Sequence, residues 1–255
     1  MWWWNRNGGR AADLVDAGAV RAESIGQAVS SGALTLLTLT DHVAVRECLA
    51  QLPTGLVGRT IVAMCTGTAS DARAASEQVA DLGARYLDAG IQASPESIGT
   101  AAATILYSGS RDAFEEHRAT LGLLSTPRFV GDSAEGAAVW DLALFGVWYD
   151  AQLGLLRALD AVREVQIDVA EFAETAATQL GHVVTATPTS ATEMLRAEFP
   201  AGPADLTQHL PLIRHLVELR ADARLGDGGL AAIARQVEAL IAQGRGHEGL
   251  TATVG

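Results

Sequence analysis

Asp141 is the side chain best placed to do chemistry in this sequence. It lies in the most apolar stretch, Gly136 to Val162, which Asp141, Asp150 and Arg157 interrupt. A carboxylate in such surroundings can serve as a general acid or base, or it can pair or cap inside a core. Tyr149 follows at just over two helical turns, so its phenol shares a face with Asp141. By residue type it is equally an aromatic core residue. The absences are as informative. All 18 basic side chains are arginine, which excludes a Schiff-base or catalytic lysine and a P-loop. His182, His215 and His247 have no metal-ligand spacing, and no metal is expected.

These residues need elements to hold them. The first half alternates short apolar runs with amphipathic stretches, the pattern of an α/β domain. Met1 to Asn5 reads as a strand, and Ala11 to Ala17 as a helix closed by Gly18. Leu34 to Leu39 suits a strand buried on both faces. Asp41 then caps a helix carrying Val43, Val45, Cys48 and Leu49. Thr60 to Met64 is a further strand and Ser70 to Leu82 a helix. Short strands follow at Arg85 to Asp88 and Ile105 to Ser108. From Gly136 the apolar positions Val139, Leu142, Phe145, Tyr149, Leu153 and Leu156 predict a buried helix of about seven turns rather than a membrane span. Only helical patterns follow, with breaks expected near Thr187-Pro188, Pro200 to Pro203 and Gly226 to Gly229. The chain therefore divides near residue 132, into an α/β domain (1–132) and a helical domain (133–255) that begins with the long helix.

Apolar residues make up 49% of the chain and charged ones 19%, which gives ample core for a globular protein. With 30 acidic against 18 basic side chains, a net charge of −12 and no arginine cluster, nucleic acid and anionic membranes are excluded as general partners. Cys48 and Cys65 are too few for a disulfide scaffold. They point to a reducing compartment, the cytoplasm. No basic and apolar leader opens the sequence.

Several segments, in order, resemble the imine reductase and reductive aminase family of the β-hydroxyacid dehydrogenase group. They are Trp4-Asn5-Arg6, Gly58-Arg59-Thr60 leading to Thr66-Gly67-Thr68, and Tyr86-Leu87-Asp88-Ala89-Gly90-Ile91. Pro95 to Gly99, Ile105-Leu106-Tyr107-Ser108-Gly109 and Trp140-Asp141-Leu142-Ala143-Leu144 continue the likeness. It is firm to about residue 160 and looser beyond. The resemblance implies an NADPH-binding Rossmann domain, a long interdomain helix and a C-terminal bundle that interlocks with that of a second subunit. It also implies hydride delivery to the carbon of a C=N bond, with an imine, or an amine and a carbonyl compound, as small-molecule substrate.

The resemblance assigns candidate roles. Asn5 and Arg6 fall where the second Rossmann strand meets the adenosine ribose, and Arg10 stands where the family usually has lysine. Arginine there suits a 2′-phosphate; the alternative is two ordinary surface arginines. Leu39 and Thr40 would lie along the cofactor and Thr66 near the nicotinamide. Hydroxy-acid dehydrogenases of the wider group place a catalytic lysine on the interdomain helix, where this chain offers Asp141. That carboxylate would hold an iminium, supply a proton or order a water. Tyr149 would orient the amine or donate a proton, and Trp148 would help to shape the site. Gln92 and Ser94 would border the nicotinamide, although glutamine replaces the family's apolar residue at position 92. Gln179, Gln208 and His209 fall near positions that line the substrate pocket, and His209 is equally an ordinary helix histidine.

One part of the pattern is missing. A dinucleotide-binding domain needs a strand, a Gly-x-Gly-x-x-Gly turn and a helix, with the turn roughly 20 residues before the ribose-binding position. Arg6 has five residues before it, so the first βα unit is expected to be absent, leaving two strand edges facing a gap. A shortened sequence is the favoured explanation. The alternative is a cofactor-free protein, either an enzyme on cyclic imines or amines or a dimeric binding protein, that reuses the scaffold.

Overall fold

Strands of two to eight residues alternate with helices through the first of two units in the computed structural model, which describes residues 1–7, 9 and 12–255. The units are Met1–Gly146 and Val147–Gly255. The first begins with β1 (Trp2–Trp3), α1 (Ala12–Asp16), β2 (Val20–Arg21) and α2 (Ile25–Ser30). It continues through β3 (Leu34–Leu37), α3 (His42–Leu49), β4 (Thr60–Ala63), α4 (Ala69–Asp81) and β5 (Arg85–Gln92). Then come β6 (Thr104–Gly109), α5 (Arg111–Leu121), β7 (Thr126–Gly131) and the start of α6 (Gly136–Glu164).

The strands form two sheets. β1 and β2 pair in parallel with each other, while β3-β4-β5-β6-β7 make a five-stranded sheet that is parallel except between β5 and β6. Among the described residues no strand joins the two sheets. β4 shows how the core is divided. Ile61 and Ala63 face Val45, Leu49 and Val79 on one side, and Val62 faces Phe114 and Leu121 on the other, as the two-residue period of a strand requires.

Several sequence expectations change. The first strand contracts from Met1–Asn5 to Trp2–Trp3. The apolar run at Leu34 ends as a strand at Leu37, and three of its four residues are only half-buried because β3 is a sheet edge. β5 extends four residues beyond Asp88 because β6 pairs with it antiparallel from Leu87 to Gln92. Helix α5 and strand β7 were not anticipated.

The second unit holds the remainder of α6, then α7 (Val169–Arg196), α8 (Leu206–Leu219) and α9 (Leu230–Leu240). Helices α8 and α9 pack through Leu206, Ile213, Val237 and Leu240. The expected break at Thr187-Pro188 does not occur. Proline removes one backbone donor, and the 28 residues of α7 carry that loss without ending. The expected burial of α6 also fails in the single chain. Its buried residues are Ala137, Ala138 and Asp141, while Val139, Leu142, Phe145, Val147 and Trp148 are exposed. Among the described residues no helix is long and apolar enough to cross a membrane.

Candidate active site

Three segments of the first unit converge on Asp141. β4 stops at Ala63, and the chain turns through Thr66, Gly67 and Thr68 into α4. Thr68 and Asp71 form a reciprocal capping box there, which fixes the turn. Thr66 Oγ1 donates to Asp141 Oδ2 at 3.1 Å. β5 runs past the end of β4, and Gln92 at its last position donates through Nε2 to Asp141 Oδ1 at 2.6 Å. Each carboxylate oxygen thus has its own donor. Asp141 itself is 1% exposed.

The third segment is α6, and the sheet holds its first turn. Asp88 on β5 and Ser108 on β6 are cross-strand partners, and each accepts one of the backbone N–H groups that a helix start leaves unpaired. Ala137 N donates to Ser108 Oγ at 2.7 Å, and the Ala138 amide donates to the Asp88 carboxyl. Asp141 lies one turn further on. Glycine permits this close approach, since a Cβ at position 90 would sit 2.7 Å from Asp141 Cβ.

Behind Asp141 is a buried polar group. Burial, and secondarily the neighbouring Asp141, push the Asp88 carboxyl up to about 7, against the donors Tyr86 and Ala138 that pull it down. Tyr86 Oη donates to Asp88 Oδ1 at 2.9 Å. His42 Nε2 lies 3.9 Å from the same oxygen, and burial holds the imidazole below its ordinary value. Both shifts favour the uncharged forms and so weaken any ion pair between the two. A side chain at Gly67 would run into the His42 ring. Cys65, pushed up to about 12 by burial, is no nucleophile at neutral pH.

A second feature lies where β1 and β2 end. Trp4, Asn5, Arg6, Arg21, Ala22 and Glu23 line a cavity of about 360 Å³. Among the described residues neither Arg6 nor Arg21 belongs to an ion pair. Two guanidinium groups, Arg21 at the end of β2 and Arg6 three residues beyond β1, fit a phosphate-bearing ribose, and Glu23 offers an acceptor for a sugar hydroxyl. Asn5 Oδ1 accepts from the Asn7 amide at 2.8 Å and so shapes the turn. Arg10 lies outside the described residues. One literal Gly-x-Gly-x-x-Gly occurs, Gly244 to Gly249, but it follows α9 instead of a strand, and Gly249 packs against the Pro200 carbonyl. It is a packing turn, not a pyrophosphate cradle.

The other candidates have local contacts of their own. Leu39 packs on the core beside β3, and Thr40 Oγ1 donates to the capping Asp41 at 3.3 Å. Ser94 precedes a 3-10 turn and donates to Ser97 Oγ at 3.4 Å. In the second unit Trp148 and Tyr149 are exposed, with ring centroids 4.9 Å apart in an edge-to-face arrangement. Gln179 is exposed on α7 and His209 half-buried on α8. Gln208 has another task, closing the capping box of α8 with Asp205. Among the described residues no cluster of three or more His, Cys, Asp or Glu is placed to hold a metal. Sequence reasoning missed Arg21, His42, Asp88 and Ser108. Arg21 had a signal, since it directly follows the short apolar pair Ala19-Val20; the other three act through contacts that only the folded arrangement discloses.

Comparison with known proteins gives a consistent set of relatives. Residues 1–131 match the NAD binding domain of 6-phosphogluconate dehydrogenase, and residues 134–255 match the NADPH-dependent reductive aminase-like C-terminal domain. The NADPH-dependent reductive aminase of Aspergillus oryzae is 28% identical, over 98% of this chain and 86% of that protein. A reductive aminase from Aspergillus terreus, solved with NADPH and ethyl levulinate, superposes with a TM-score of 0.84 at 29% identity, covering 99% of this chain and 89% of that one. An imine reductase from the same organism, solved with NADPH4 and dibenz[c,e]azepine, reaches a TM-score of 0.90 at 29% identity and the same coverage.

Proposed function

Because the chain belongs to the imine reductase and reductive aminase family, we propose that it is an NADPH-dependent oxidoreductase that reduces a C=N bond to an amine. The observation that carries this reading is the carboxylate of Asp141, buried at the C-terminal ends of β4 and β5 with one donor on each oxygen. Ligands of open α/β sheets bind at such strand ends. No lysine is available to replace it, which turns the chemistry away from hydroxy acids. None of the relatives named above supports a cofactor-free alternative.

When bound, NADPH supplies a hydride to the carbon of the C=N bond. Asn5, Arg6 and Arg21 would hold the adenosine 2′-phosphate, and the proposal includes Arg10. Leu39 and Thr40 would border the cofactor along the strand ends, and Thr66 the nicotinamide. Asp141 would hold the substrate nitrogen, and Tyr149 would orient the amine or donate a proton. Ser94, Trp148, Gln179 and His209 are proposed as pocket residues.

We further propose a homodimer with interlocked bundles. Its support is the apolar surface that one chain leaves open, Val139, Phe145, Val147 and Trp148 on α6 with Val183 and Val184 on α7. The two free cysteines suit a cytoplasmic location. Steady-state consumption of NADPH with a simple cyclic imine tests the central reading. The wild-type chain should turn over and Asp141→Asn should lose on the order of 100-fold in kcat/KM. An unchanged Asp141→Asn would remove Asp141 from the mechanism.

A further inference from the structure

We propose that Gln92 is a positioning residue that fixes Asp141 as an ionised hydrogen-bond acceptor, so that the site selects imines basic enough to arrive as iminium cations. The inference rests on the reductase reading and deepens it by naming the substrate's charge state.

Gln92 closes β5, and its amide is spent on Asp141 at 2.6 Å. Thr66 takes the other oxygen at 3.1 Å. Two donors, one on each oxygen, favour the charged carboxylate over the acid, because hydrogen bonds to an ionised acceptor are about twice as strong as neutral ones. Asp88 of β5 feels the charge of Asp141, and Tyr86 of β5, His42 of α3 and Cys65 after β4 adjoin Asp88 in turn. Burial drives the Asp88 carboxyl towards its neutral form, which lessens the negative charge beside Asp141.

The chemistry follows. An iminium carbon that accepts hydride from the reduced nicotinamide becomes an amine carbon, and the C=N π pair returns to nitrogen as its lone pair. No proton is consumed in that step, so an Asp141 without a proton to give is competent. Its negative charge holds the cation instead. A neutral imine that needs protonation in the site would be the poorer substrate.

Two measurements test this. The first needs no cofactor: the Asp141 carboxyl is titrated by carbon NMR in wild type, Gln92→Leu and Thr66→Val, with Asp141→Asn for assignment. Loss of either donor should raise the Asp141 midpoint by about one pH unit or more. A midpoint that is unmoved or lowered in Gln92→Leu overturns the proposal, whether or not the protein reduces imines. The second is the pH profile of kcat/KM for one strongly basic and one weakly basic cyclic imine. Gln92→Leu should shift the acid limb upward and narrow the preference for the basic substrate, and Gln92→Asn, which keeps an amide donor, should restore part of both. Equal profiles in wild type and Gln92→Leu contradict it. Failure of every variant and of wild type to consume NADPH, with the NMR shift present, would defeat the reductase reading alone.

Discussion

At the scale of single residues, burial sets the charges on which the site depends. Asp88, held up near 7, contributes stability that is complete below about pH 4 and is lost as the pH rises through 7. His42, held low by burial, acts in the opposite sense, gaining stability as the pH rises towards its unfolded value. Asp88→Asn keeps an acceptor for Tyr86 and Ala138 and leaves His42 in place. The difference in Tm between Asp88→Asn and wild type should therefore grow in favour of the variant between about pH 4 and pH 8. A difference that stays flat in calorimetric scans would show that Asp88 is ionised throughout. Asp141 was legible from its setting in an apolar helix. Gln92 was visible only as a departure from a pattern, since nothing in one sequence says that the end of a strand and the second turn of a helix 49 positions away will touch.

Elements carry this geometry through their ends. The turn between β4 and α4 is held by the Thr68–Asp71 capping box, and Thr68→Ala should cost about 1 kcal/mol of stability in denaturant melts. Because Thr66 stands two residues before that cap, the same variant should also weaken catalysis more than its stability loss explains. Gly90→Ala tests the approach of α6 to β5. The added Cβ would stand 2.7 Å from that of Asp141, so α6 or β5 must shift. A crystal structure of Gly90→Ala should show Asp141 displaced from Gln92 or Thr66; an unmoved Asp141 would contradict the tight fit. The alternation that built α3, β4 and α4 could be read directly from the sequence. The length of β5 could not, because its last four residues are strand through pairing with the antiparallel β6 and not through their own pattern. The continuity of α7 through Pro188 was hidden for a related reason: one lost hydrogen bond is a local cost, set against a helix of 28 residues.

For the whole molecule, composition was a sound guide to class and a poor guide to burial. The apolar character of α6 was read as a core helix, yet a single chain leaves most of its large side chains open. The proposed homodimer would resolve the mismatch by covering these side chains. Light scattering should give a mass near twice the 26.6 kDa of one chain, and Phe145→Glu with Val183→Glu should release monomer; a monomeric wild type would contradict the dimer. The central claim is that hydride passes from NADPH to the carbon of a C=N bond in this protein. Incubating the chain with a cyclic imine and NADPH deuterated at its hydride-donating carbon tests it most directly, with the product read by mass spectrometry. The amine should carry one deuterium on the former imine carbon, and far less of it should form with Asp141→Asn. An amine without deuterium, or no amine from a folded wild-type protein that binds the imine, would contradict it.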